Sequence, residues 1–164
     1  MNTSDVLKYG HRTALTTIDG LAEADWHTSG VCGVWSVKEI LAHLASFEHM
    51  LVGVLGTFWG DDPTPTLVRY FELGPLQFND VEVAMRRDMT VAEVLAEYQS
   101  TYEQAAAMAA QISPETCREP GTLPWYGLEY ALDDFIVYTF YGHKREHSAQ
   151  IAVFRDQLKQ VGRA

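Results

Sequence analysis

The chain has 164 residues, 47% of them apolar, and a formal net charge of −10. That length suits a single domain with a real core, and two cysteines are too few for a disulfide-stapled scaffold. The acidic balance argues against a nucleic-acid partner, and no run approaches the roughly 18 uninterrupted apolar residues of a membrane span, so neither nucleic acid nor membrane is expected.

The opening residues, Met1 to Asp5, lack a basic region followed by an apolar run. They do not read as a secretory signal, and a cytoplasmic location is expected, with Cys32 and Cys117 as free thiols. Helical periodicity starts at once: Leu7, His11, Leu15 and Ile18 form one stripe of a helix over about 4–21, capped by Ser4 or Asn2. A connection follows over 22–35.

The second helix has the clearest start. Ser36 and Glu39 have the spacing of a capping box, and Trp35 and Ile40 that of a hydrophobic staple across it. Its stripe runs Ile40, His43, Phe47, Leu51, Val54, Phe58, and Gly60-Asp61-Asp62-Pro63 stops it. Residues 61–89 predict a long crossover with helical pieces over 66–73 and 79–87, separated by Gly74-Pro75. Such a segment is a candidate lid. A second capping box, Thr90 to Glu93, opens a third helix reaching about residue 111.

Pro120, Gly121, Pro124 and Gly127 then mark a loop that presents Trp125 and Tyr126 to a partner or pocket. The last helix is predicted over 132–159, with the stripe Ile136, Phe140, His143, His147, Ile151, Phe154, Leu158. Gly142 in its interior suggests the close approach of a neighbouring element. The basic pairs Arg86-Arg87 and Lys144-Arg145 each adjoin an acid and read as solvated helix surface. The fold class is all-α: one domain over 1–164, a four-helix bundle with a long crossover between helices 2 and 3.

Chemistry enters through the histidines. His143 and His147 are four residues apart on an apolar stripe, where imidazoles cost burial energy unless their nitrogens find partners. A pair at this spacing can point at a common atom. His43 stands on the apolar stripe of the second helix. Taken singly, each histidine reads as a core residue bonded to backbone; facing one another, the three make a divalent-metal site with an open position. His11, also on an inward stripe, is a candidate general acid or base, or a satisfied core histidine. Glu39 and Glu146 are candidates to orient the imidazoles, with surface placement the plain alternative. His49 falls about 120° around the helix from His43, toward the surface or a dimer face.

Two segments carry a family resemblance. Trp35-Ser36-Val37-Lys38-Glu39-Ile40-Leu41-Ala42-His43-Leu44 resembles the second helix of DinB/YfiT-like proteins, and Gly142-His143-Lys144-Arg145-Glu146-His147-Ser148-Ala149-Gln150-Ile151 resembles their last. The resemblance covers the whole chain. It implies a four-helix bundle, often dimeric, that holds a divalent metal on His43, His143 and His147. It also implies a metal-dependent enzyme acting on a small molecule, either a transferase using a low-molecular-weight thiol or a hydrolase. The expected ion is zinc or nickel first, iron or manganese next; the expected assembly is a homodimer. His11 and Glu146 are the residues expected to assist catalysis. The competing reading is a non-catalytic, metal-stabilised protein that binds a small molecule or serves a stress response.

Overall fold

The structure is a computed structural model that describes residues 2–160 and residue 162. Its helices start where the caps predict. α1 (Thr3–Ile18) begins on Asn2, whose side-chain oxygen accepts from the backbone N–H groups of Ser4 and Asp5. α2 (Val37–Gly56) opens on the capping box: the Ser36 N–H donates to the Glu39 carboxylate at 2.8 Å, and the Glu39 N–H donates to Ser36 Oγ at 3.3 Å. α3 (Pro65–Met85) fills most of the crossover. Its two pieces meet at Gly74, whose φ of 71° is one that side-chain-bearing residues rarely adopt, immediately before Pro75. α4 (Val91–Ala109) has the second capping box at Thr90 and Glu93.

The last predicted helix differs in detail. It comprises α6 (Leu132–Ile136), a π-helical segment over Val137–Gly142 and α7 (His143–Gln160), with a short α5 (Pro114–Arg118) before them. Apolar spacing tolerates a slip of one residue in the hydrogen-bond ladder, so periodicity predicts a helix there without showing the bulge. Gly142 closes this π segment. It is exposed, and the nearest atom to a Cβ added there is the Val137 carbonyl of its own helix at 3.4 Å, so it admits no neighbouring element. The close approach falls instead at Gly10, whose added Cβ would lie 3.3 Å from Lys144 Cδ and 3.5 Å from the Tyr141 backbone.

α2 is the axis of the molecule. Only Glu39, His49 and Val52 within it escape full burial. By length and apolarity it could cross a membrane; here it is enclosed by the bundle, lying mainly against α4 and α3, while α1 lies mainly against α7. The loop aromatics predicted to await a partner are also spoken for: Trp125, though 41% exposed, packs edge-on against Phe71 and Phe135, and Tyr126 packs against Phe135.

The core falls into two apolar clusters. One gathers Leu7, Phe47, Met50, Leu51, Phe78, Phe135 and Phe140; the other gathers Ala14, Ile40, Leu41, Val94, Tyr98, Ile151 and Phe154. Each fully buried Val, Leu, Ile, Met or Phe side chain among them contributes about 1.5–3 kcal/mol. On α1, α2, α4 and α7 the changeover between clusters coincides with buried polar residues: His11 on α1, His43, Ser46 and Glu48 on α2, Thr101 on α4, and Lys144, His147 and Ser148 on the last helix. A polar layer therefore crosses the middle of the bundle.

Candidate metal centre

Regular helix places His43: seven residues into α2, it points from the buried face toward α7 and is 2% exposed. The π segment ends just before His143, and the α-helix that follows sets His147 one turn beyond it. The three side chains converge. His43 Nε2 lies 2.8 Å from His143 Nε2, and His147 Nε2 lies 2.9 Å from that same atom. One ligand atom from each ring falls within 4.8 Å of the others. Bonds of 2.0–2.1 Å from two imidazoles to one cation permit nitrogen separations up to about 4.2 Å, so both measured distances fit a shared ion.

The protonation pattern supports the same fit. His147 Nδ1 donates to Gln150 Oε1 at 2.8 Å, which leaves its Nε2 as a bare lone pair. The Thr139 carbonyl takes the N–H of the His143 ring. With Nε2 of His143 turned toward the other histidines, that N–H is Nδ1. Two lone pairs then face each other at 2.9 Å, a repulsive arrangement unless a cation lies between them. His43 Nδ1 is buried with no hydrogen-bond partner. Burial, with the neighbouring His143 and His147, pulls the His43 pKa down to about 2; burial, His147 and Lys144 pull that of His143 to about 3. Burial also lowers that of His147. All three rings are therefore neutral at pH 7, the state in which imidazole binds metal.

The surroundings separate the remaining candidates. Trp35 covers His43 from one side, ring centroids 4.9 Å apart, and Phe47 packs edge-on against both His43 and His143. Trp35 also walls a cleft of about 450 Å³ shared with Ser36, Lys38, Ala42 and Arg87; none of the three histidines lines that cleft. Glu39 is occupied by the helix cap. Glu146 is exposed on α7, and its charge, after burial, helps push the Cys32 thiol up. Cys32 is thus protonated at neutral pH, and it approaches Gln150, the partner of His147. Both cysteines are free.

His11 stacks face to face on Tyr102, centroids 3.6 Å apart, and on Tyr98 at 4.9 Å; burial and the Lys144 charge lower its pKa to about 4. His49, expected toward the surface or a dimer face, keeps 37% of its side chain exposed and binds Glu97 at 2.8 Å within the chain.

Two basic residues expected on the surface are buried. Lys144 is 1% exposed and pairs with Glu48, which is fully buried; Arg86 is 8% exposed and binds Glu82 and Glu97. Local charge pattern does not mark that burial: Glu48 lies far from Lys144 in sequence and Glu97 stands on another helix from Arg86, while the i,i+4 spacing of Glu82 and Arg86 is also that of an ordinary exposed helix pair. Gln150, the residue that orients His147, was overlooked as well. Its signal was its position three residues after a candidate ligand.

The fold and site define an all-α bundle in which three imidazoles, from the second and last helices, converge closely enough that they could hold a metal ion. This chain belongs to the DinB superfamily, whose family model matches residues 7–151. A crystal structure of a protein from Streptococcus pneumoniae is similar in fold, with a TM-score of 0.76 over 94% of this chain and 88% of that one at 13% identity. No curated protein matches the sequence.

Proposed function

We propose that this DinB-superfamily protein is a divalent-metal-dependent enzyme acting on a small molecule, either transferring a low-molecular-weight thiol or hydrolysing a reactive substrate. The observation that carries the reading is the pair of Nε2–Nε2 separations, 2.8 and 2.9 Å, among rings whose other nitrogens are committed elsewhere or buried. A divalent ion held there supplies Lewis acidity and activates water or a thiol as nucleophile at neutral pH.

The chain's own residues prepare the site. Gln150 and Thr139 fix the rotation and tautomer of His147 and His143. Phe47 and Trp35 exclude bulk water from the imidazoles and strengthen their interaction with charge. Zinc and nickel suit three neutral imidazoles best, with iron and manganese as further candidates. The expected assembly is a homodimer in the cytoplasm.

The enclosure of His43 by Trp35 favours one second reading, a non-catalytic protein that is stabilised by its metal and binds a small molecule. The experiment that separates these begins with protein purified without a histidine tag. Bound metal is measured, removed by chelation and replaced with zinc, nickel, iron or manganese ions. The reloaded protein is then assayed for consumption of electrophiles with and without small thiols. Metal uptake with thiol-dependent turnover supports the transferase, and turnover without thiol supports the hydrolase. Uptake with no turnover leaves the binding protein, and failure to bind any of the four ions sinks the metal reading.

A further inference from the structure

The Glu48–Lys144 ion pair lies in the same polar layer as the three histidines, yet it contributes no ligand. Both side chains are essentially inaccessible, and the Lys144 ammonium also sits over the rings of Tyr98 and Tyr102, 5.8 and 5.5 Å from their centroids. Gly10 on α1 keeps room for the lysine stem, since a Cβ there would press on Lys144 Cδ. A buried ion pair seldom adds net stability over hydrocarbon of the same size, so stability explains this arrangement poorly. Its attested use is to fix the register of packed helices.

The placement fits that use. Lys144 follows His143 by one residue and so leaves α7 about 100° around the helix from it, while Glu48 follows His43 by five residues, about 7.5 Å along α2. The same two helices are thus tied at two heights and from two faces. One tie alone would let α7 roll or slide on α2. The two apolar clusters lie to either side of this layer, and α2 and α7 meet directly over only a short stretch. Hydrocarbon packing therefore sets their register weakly where the histidines must converge.

We propose that the Glu48–Lys144 pair is a positioning device for the metal centre, holding α7 at the rotation and height on α2 at which His43 meets His143 and His147. This rests on the metal-binding reading above.

The test compares wild type with the double variant Glu48→Leu/Lys144→Met, which removes both charges and leaves no unpaired one. Zinc affinity is read by competition with a chromophoric chelator, and ligand geometry by the visible spectrum of the cobalt-loaded protein. The variant is expected to keep its helical content and its apo melting temperature, to bind zinc about 10–100-fold more weakly, and to show shifted cobalt bands. Wild-type affinity and an unchanged spectrum would overturn the proposal. As a control for stability alone, Leu55→Ala, a core truncation toward the far end of α2, should lower the melting temperature while leaving both metal readouts in place.

If the double variant does not fold, the near-isosteric Glu48→Gln decides. Its amide keeps the shape of the carboxylate without its charge and so holds Lys144 less firmly; a several-fold weaker zinc affinity supports the device, and wild-type affinity refutes it. Absence of zinc and cobalt binding by the wild type would instead sink the metal reading, and this inference with it.

Discussion

Two buried polar assemblies in this bundle are built on opposite rules. Between α3 and α4, Arg86 reaches Glu97 through two hydrogen bonds of 2.9 and 2.7 Å and Glu82 through a third of 2.8 Å, while Arg69 binds Glu82 and His49 binds Glu97. Donors and acceptors match, and although burial works against the charge, hydrogen bonds from His49 and Arg86 pull the Glu97 carboxyl down to about 2. Among the histidines, acceptor faces acceptor and His43 Nδ1 has no partner. The first assembly is complete with the chain alone; the second makes chemical sense once something is added. Matched donors and acceptors hold the first assembly together; in the second, the convergence of three neutral imidazoles leaves room for a ligand.

The largest effect that would sharpen this contrast is loss of a ligand. His43→Ala should weaken zinc binding by more than about 100-fold, beyond what outer hydrogen-bonding partners produce, while leaving the apo melting temperature equal or higher. A marked apo destabilisation would show that the histidines are structural instead. Arg86→Met should do the reverse. It leaves the fully buried Glu82 to Arg69 alone and the partly buried Glu97 to His49 alone, costing about 3–5 kcal/mol in denaturant unfolding, with zinc affinity kept; a loss under about 1 kcal/mol would erase the distinction. Gln150→Leu frees the His147 ring and should reduce zinc affinity about 10–100-fold, again with little change in apo stability.

Acidity probes the comparison more gently. The depressed pKa values of His11, His43 and His143 mean that the unfolded chain takes up protons below about 6.5 while the folded chain resists until about 4 or lower. Apo stability should thus be full well above pH 6.5 and fall as pH drops through 6.5 toward about 4, the part between pH 6.5 and 5 lying above the ordinary carboxylate range. Equal unfolding free energies at pH 5.0 and 7.5 would contradict the burial of neutral imidazole. Zinc affinity, by contrast, should change little between pH 6.5 and 8, because no imidazole has to lose a proton. The smallest effect belongs to the helix cap: Ser36→Ala should cost about 1 kcal/mol of stability and leave the metal centre intact.

The helices and the histidine triad are legible in the sequence for a simple reason. Helical spacing, capping boxes and the His143–His147 interval are local, and each can be read within a turn or two of chain. What stayed hidden depends on meetings between distant residues. Glu48 and Lys144 are nearly a hundred positions apart, so Lys144, read beside Arg145 and Glu146, passed for surface. Arg86 reads as surface in part for the same reason: Glu97 stands on another helix, and the i,i+4 pairing with Glu82 has the spacing of an ordinary exposed pair. The π segment escaped because Ile136, Phe140 and His143 keep helical spacing across it. Gln150 was visible in the motif but had no assigned role until the His147 ring was seen to turn toward it.

Trp35 gives the protein a built-in optical gauge. Its indole rests within van der Waals range of a ring that would ligate the ion. Open-shell ions such as nickel or copper quench nearby indole emission, while closed-shell zinc does not. Whether the ion is open- or closed-shell would therefore show in the Trp35 share of the emission from the chain's four tryptophans, with no dye attached.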